Sequence, residues 1–234
     1  MIDNDLVIAF IPARGGSKGL PGKNMLEING KSLIELAVES SRGDLIGTPV
    51  DLVVVSSDDD AILEHAHELG CINFKRSEFA ATDEATAADA IRDYFGAPDV
   101  MIDMDGRDPW VLYLQPTSPG RTGRHVEEAF NMITPTTRSV VSVTSPEKSP
   151  YWTLNINASG RLSPLFPDAF NSNRQALPPA YVPNGAIYLF KLSDFMAAGS
   201  VPVDGAAAYI MSPNESIDVD TKADFDRAKA LLEG

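Results

Sequence analysis

The chain has 234 residues, 44% of them hydrophobic, and a formal net charge of −14. That acidic excess excludes a nucleic-acid partner unless the cations are strongly segregated, and no apolar run is long enough to span a bilayer, so no membrane contact is expected. The single cysteine, Cys71, excludes an intrachain disulfide, and the start has no cationic stretch leading into an apolar core, so the reading is one cytoplasmic unit over residues 1–234.

Residues 6–11 form a continuous aliphatic run, the pattern of a strand buried on both faces, which feeds the loop PARGGSKGLPGKN. Gly15, Gly16, Gly19 and Gly22 let backbone N–H groups approach an anion, while Arg14, Lys18 and Lys23 can neutralise phosphate oxygens. Two common phosphate loops do not fit. Ser17 stands where a Walker loop needs glycine and Asn24 where it needs Ser or Thr, and no register of the glycines gives the dinucleotide fingerprint Gly-x-Gly-x-x-Gly.

Ser32 caps a helix that the spacing of Leu33, Leu36, Ala37 and Ser40 carries to about residue 46. Residues 51–56 (DLVVVS) read as a second buried strand, and Ser57 or Asp58 opens a helix with Ile62, Leu63, Ala66 and Leu69 inward. This strand–helix alternation predicts a mostly parallel sheet flanked by helices. His65 and His67 fall on different helix faces and read as surface residues. After a short extended piece at 73–76, Thr82 or Asp83 caps a helix containing Ala87, Ala90, Ile91 and Tyr94. The acidic loop 97–108 carries Asp99, Asp103, Asp105 and Asp108, but not in the order of a calcium-binding loop.

Residues 110–115 (WVLYLQ) form the next strong strand, ending in PTSPGR. Gln115, Thr117 and Ser118 then lie at the carboxyl edge of the sheet, on the side of the glycine loop, as hydrogen-bonding groups suited to a sugar. Thr122 starts a helix with Val126, Ala129, Phe130 and Ile133 inward and His125 exposed. Residues 139–144 make a further strand, after which residues 145–183 are proline-dense and contain a hairpin about the turn 157–160. Strands follow at 184–190 and 207–211. Asp218 and Asp220 alternate about Val219, so an extended backbone turns both carboxylates the same way, towards one hard cation. Thr221 caps a last helix with Phe225, Ala228, Leu231 and Leu232 inward.

The strings IPARGGSKGLPGKN, LQPTSPGR, NGAIYLF and SIDVDT together resemble the acylneuraminate cytidylyltransferases and their relatives that activate other nonulosonic acids. The resemblance implies a Rossmann-like nucleotidyltransferase fold whose 145–183 excursion is a dimerisation hairpin, a homodimer, CTP and a nonulosonic acid as substrates, and Mg²⁺ on Asp218 and Asp220. It further implies that Ala13, Arg14, Gly15, Gly16, Ser17, Lys18, Lys23, Asn24 and Arg76 hold the nucleotide. Gln115, Thr117, Ser118, Arg174, Gln175, Asn184 and Gly185 would face the sugar, and Arg14, Lys23 and Asp218 would act on the reacting phosphate. Gly120 replaces the leucine usual in that family. Trp152 and Leu165 stand where members that take sialic acid carry a lysine and an arginine, which implies a less polar nonulosonate such as a legionaminate-type 6-deoxy diamino sugar.

Overall fold

In the computed structural model the described residues are 5–17, 19–43, 50–98, 100 and 106–234. In chain order they form β1 (Val7–Pro12), the small ribbon β2 (Glu27–Ile28) and β3 (Lys31–Ser32), α1 (Leu33–Arg42), β4 (Leu52–Ser57), α2 (Asp60–Glu68), β5 (Ile72–Lys75), α3 (Glu78–Ala81) and α4 (Ala87–Phe95). There follow β6 (Trp110–Tyr113), α5 (Gly123–Phe130), β7 (Ser139–Thr144), the hairpin β8 (Leu154–Ile156) with β9 (Leu162–Pro164), α6 (Pro167–Phe170), β10 (Val182–Lys191), α7 (Leu192–Ala198), β11 (Ala207–Ile210) and α8 (Lys222–Leu232).

Seven of these strands share one sheet in the order β11-β7-β10-β6-β1-β4-β5, parallel throughout except for β10, which runs antiparallel to both β6 and β7. β1 is central and buried on both faces because its side chains are apolar at every position. Val7, Ala9 and Ile11 face a core shared with Ile34, Val38, Val126 and Ala129 of α1 and α5. Ile8 and Phe10 face the opposite layer, against Ile91 and Tyr94 of α4 and Phe195 of α7. A third, smaller cluster joins Ile28 and Leu33 to Ile217, Val219, Phe225 and Ala228. This last cluster brings the carboxyl-terminal segment back to the beginning of the chain.

Several expected boundaries and burials are corrected. α2 is capped by Asp59, not by Ser57 or Asp58, because the Asp58 carboxylate accepts the Gly15 N–H instead. Thr86, not Thr82 or Asp83, caps α4, in a reciprocal capping box with Asp89, and the extra turn α3 intervenes. His125 is buried, its Nδ1 accepting the Thr122 N–H in place of an acidic capping residue. His65 is half-buried against the Ser32 hydroxyl, whereas His67 is exposed. Leu231 and Leu232 lie on the outer face of α8. Residues 44–49, the expected end of α1, lie outside the described residues, as do Asp99, Asp103 and Asp105; Asp108 accepts hydrogen bonds from Ser193 at the start of α7.

The excursion folds as expected into a hairpin with its turn at 157–160, and exposes Trp152, Ile156, Leu162, Leu165, Phe166 and Tyr181. Phe10, by contrast, is fully enclosed, with the rings of Tyr94, Phe95 and Tyr113 at 5.6, 6.4 and 6.3 Å. Truncating it removes the centre of that layer, so Phe10→Ala is expected to cost about 3–5 kcal/mol in equilibrium urea unfolding, with little change in the denaturant slope.

Candidate active site

A cleft of about 510 Å³ opens at the carboxyl ends of β1 and β6, lined among others by Arg14, Ser17, Lys23, Arg76, Gln115, Thr117, Asp218 and Asp220. It is the place where a parallel sheet exposes its strand ends and loop amides to a ligand. Two remote stretches of chain make its walls. The Lys23 ammonium donates to Asp220 Oδ1 at 2.8 Å and to the Val219 carbonyl at 3.1 Å. The loop backbone comes equally close: a Cβ on Gly19 would stand 2.5 Å from the Asp220 carbonyl oxygen, so only glycine fits there.

The alternation about Val219 is present. Ile217 and Val219 are buried in the third core cluster, while Asp218 and Asp220 point to the cleft. Val219 N–H donates to the Thr117 carbonyl at 2.8 Å, which fixes this segment against the end of β6. Asp218 is exposed at the cleft, yet its pKa is raised. Desolvation of its seat is the largest cause, and the neighbouring Asp220 charge adds to it against a hydrogen bond from Thr117. A carboxylate whose ionisation is disfavoured in this way, with a second carboxylate beside it, is stabilised by a cation. Mg²⁺ characteristically takes one or two protein carboxylates and completes its shell with water and phosphate oxygens, so the donor set fits that ion. Among the described residues no cluster of three or more His, Cys, Asp and Glu side chains offers a fuller cage.

The other residues divide by what they touch. Arg14 reaches across the cleft mouth to Asp83 at 2.9 Å, and Ser17 lines the same wall. Arg76 is buried at the floor, bound to Ser56 through its hydroxyl and carbonyl, and desolvation lowers its pKa. Gln115 and Thr117 line the cleft. Gly185 has φ 77°, and a Cβ there would lie 2.4 Å from Gln115 Oε1, so this glycine makes room for the glutamine. Beneath them Ser118 Oγ is buried without a hydrogen-bond partner among the described residues.

Some expected residues are not brought to the cleft, or reach it with their polar groups already engaged. Ala13 packs in the core and its N–H donates to the Ser56 carbonyl. Gly15 donates to Asp58, and Gly16 is exposed. Asn24 lines the cleft, but its amide holds the Arg14 carbonyl at 2.9 Å and so braces the loop. The Asn184 amide is engaged inside the protein by Ser142, Ser216 and the Met211 sulfur. Arg174 and Gln175 lie on a turn of the excursion, and Gln175 is exposed and does not line the cleft of its own chain. Lys18 and the Arg174 side chain lie outside the described residues.

Tyr113, Thr86 and Arg121 were not foreseen. Tyr113 lines the cleft with its phenol pushed up to about 12 by burial. Thr86 brings the amino end of α4 to the cleft edge, a position concealed by the misplaced cap. Arg121 is buried, its pKa lowered to about 9 by desolvation. It donates to Ser40 Oγ, the Gln115 carbonyl and the Ala186 carbonyl, stapling the loop after β6 to α1 and β10. Gly120 is explained as well: a Cβ there would meet the Glu215 carbonyl at 2.6 Å, leaving no space for leucine.

Residues 8–160 match the family described as cytidylyltransferase. An N-acylneuraminate cytidylyltransferase of Streptococcus agalactiae serotype V is 34% identical over 93% of this chain, which spans about half (51%) of that relative's length. A CMP-N,N'-diacetyllegionaminic acid synthase of Legionella pneumophila is 33% identical over 97% of this chain and 96% of its own. Among solved structures, a CMP:2-keto-3-deoxy-manno-octonic acid synthetase complexed with CTP aligns with TM-score 0.67 at 19% identity, over 98% of this chain and 99% of the other, a likeness of fold.

The raised pKa of Asp218 has a direction in stability. The folded chain holds the Asp218 proton more tightly than the unfolded chain does. Stability therefore falls as pH rises from the ordinary value of 3.8 through the raised one, and the cost is present in full at neutral pH. Asp218→Asn is expected to raise the thermal midpoint at pH 7 and to lose that advantage as the pH is lowered towards ~4, measured without divalent ions.

Proposed function

Because the chain belongs to the cytidylyltransferase family, we propose that it transfers CMP from CTP to the 2-hydroxyl of a nonulosonic acid and releases pyrophosphate. The observation that carries this reading is the 2.8 Å contact between Lys23 and Asp220 inside the cleft that also holds Arg14, Gln115 and Asp218. Cations for a triphosphate, carboxylates for a metal and neutral donors for a sugar thereby face one volume.

In this reading Arg14, Ser17 and Lys23 bind the phosphates, with Arg14 and Lys23 exchanging their carboxylate partners for phosphate oxygens. Lys18, on the same loop in sequence, is assigned to the same group. Arg76 and Thr86 border the nucleoside, and Gln115, Thr117 and Ser118 orient the sugar. The sugar oxygen forms a bond to the α-phosphorus as the bond to the β-phosphate oxygen breaks, and the hydroxyl proton is lost to solvent. No covalent enzyme intermediate is required, so the protein's contribution is alignment and preorganised positive charge. Asp218 and Asp220 would hold Mg²⁺, which would supply charge neutralisation at the phosphates.

The excursion at 145–183 belongs to the same proposal. Its exposed Trp152, Leu162, Leu165 and Phe166 make an apolar surface better covered by a second copy of the chain, which could also carry Arg174 and Gln175 to the partner's cleft. Trp152 and Leu165 favour a less polar nonulosonate, and the full-length likeness to a relative named for diacetyllegionaminic acid agrees with that choice. A cytoplasmic setting, where CTP is available, completes the reading.

Lys23→Ala is expected to lower the rate of pyrophosphate release by about 10²–10³-fold while circular dichroism stays native. A kcat near the starting value would remove Lys23 from the reaction. In a steady-state comparison of sialate, legionaminate, pseudaminate and Kdo, legionaminate is expected to give the highest kcat/KM; a preference for sialate would overturn the reading of Trp152 and Leu165.

A further inference from the structure

We infer that His125 is a positioning residue for the two cleft carboxylates, acting through Glu215 on the turn that delivers Asp218 and Asp220. The inference rests on the proposed function for its kinetic consequence and on the cation site assigned to Asp218 and Asp220 for its Mn²⁺ readout.

His125 sits in the first turn of α5, 2% exposed. Its Nδ1 accepts the Thr122 backbone N–H at 3.0 Å, so in the neutral ring the proton is on Nε2. Nε2 lies 3.1 Å from Glu215 Oε1 and 2.8 Å from the Arg124 guanidinium, which itself donates to the same carboxylate oxygen at 3.1 Å, so ring, guanidinium and carboxylate form one three-membered contact. The other carboxylate oxygen accepts from Ser212 N and Ser212 Oγ at 3.2 and 2.7 Å. One carboxylate thus closes the turn 212–216 and ties it to α5. The turn is held at two more points: Ser216 Oγ accepts from Asn184 at 2.8 Å, and the Glu215 backbone presses on Gly120. Two residues later Asp218 enters the cleft.

Burial favours neutral His125, and Arg124 opposes its protonation, while Glu215 and, on its own helix, Glu128 favour it; the Tyr209 ring packs beside it at 6.2 Å. A displacement of about 1 Å at a reacting centre is enough to cost ~10²-fold in rate, so a loosened turn is read out at the carboxylates before it is read out in global stability.

The two ring nitrogens can be separated by substitution. His125→Asn retains an acceptor for the Thr122 N–H but not the reach to Glu215, whereas His125→Gln retains a donor towards Glu215 but not the cap. His125→Asn is expected to bind Mn²⁺, measured on the nucleotide-free protein by electron paramagnetic resonance, about 5–10-fold more weakly, and to lose kcat by a similar factor with KM for the sugar unchanged. His125→Gln is expected to keep Mn²⁺ affinity and to lose thermal stability. Glu215→Gln should reproduce the Asn variant, and the double variant should be no worse than either single one. Unchanged Mn²⁺ affinity in folded His125→Asn, or in Glu215→Gln if the former does not fold, would overturn the inference. A starting protein that binds Mn²⁺ but releases no pyrophosphate with any nonulosonate would instead overturn the proposed function and leave this test standing.

Discussion

The structure depends most on the meeting of Lys23 with the backbone and side chain of Val219 and Asp220. Nearly two hundred residues of chain separate them, yet the ammonium lies within hydrogen-bond distance of both the Val219 carbonyl and the Asp220 carboxylate. An exposed ion pair of this kind contributes little to folding stability. Its importance is positional, because it marks where a positive loop and an extended acidic segment face each other across the cleft of about 510 Å³. In the proposed reading a polyanion entering that volume would find positive charge on one wall, and a cation bound with it would find negative charge on the other.

That meeting is enforced by apolar packing rather than by charge. Ile217 and Val219 are buried with Ile28, Leu33, Phe225 and Ala228, and with period two along an extended chain the residues between and after them must turn outward. The same segment is pinned to the end of β6 through Val219 and Thr117, while Gly19 and Gly120 permit backbone-to-backbone approach on either side. The resulting desolvation of Asp218 is a local cost of holding its carboxylate at the cleft wall. Arg121 plays the complementary part on the sheet side, holding the Gln115 and Ala186 carbonyls so that the loop after β6 keeps one shape.

Much of this was legible in the letters. The buried strand β1, the β6 ending, the hairpin excursion and the alternation at Asp218 and Asp220 follow from period and turn chemistry alone. What was not legible depended on competition between neighbours for the same hydrogen-bonding groups. Asp58 looked like a cap until the Gly15 N–H was seen to take its carboxylate, leaving Asp59 to cap α2. Thr82 and Thr86 are equivalent as cap candidates in sequence, and only the reciprocal contact with Asp89 selects the second. His125 looked exposed because histidine on a helix usually is; here its ring is a cap and a link to Glu215. Asn184 matched its motif but serves an internal network, and Gln175 sits on a surface that a single chain does not direct towards its own cleft.

The most direct test is the position of the triphosphate in a crystal structure of the protein with CTP and a divalent cation. Phosphate oxygens are predicted within about 3.5 Å of Lys23 Nζ, with the cation between them and the carboxylates of Asp218 and Asp220 at roughly 2.1 Å. A triphosphate bound away from Lys23, or a cation held without either aspartate, would contradict the union of the two chain ends over one substrate.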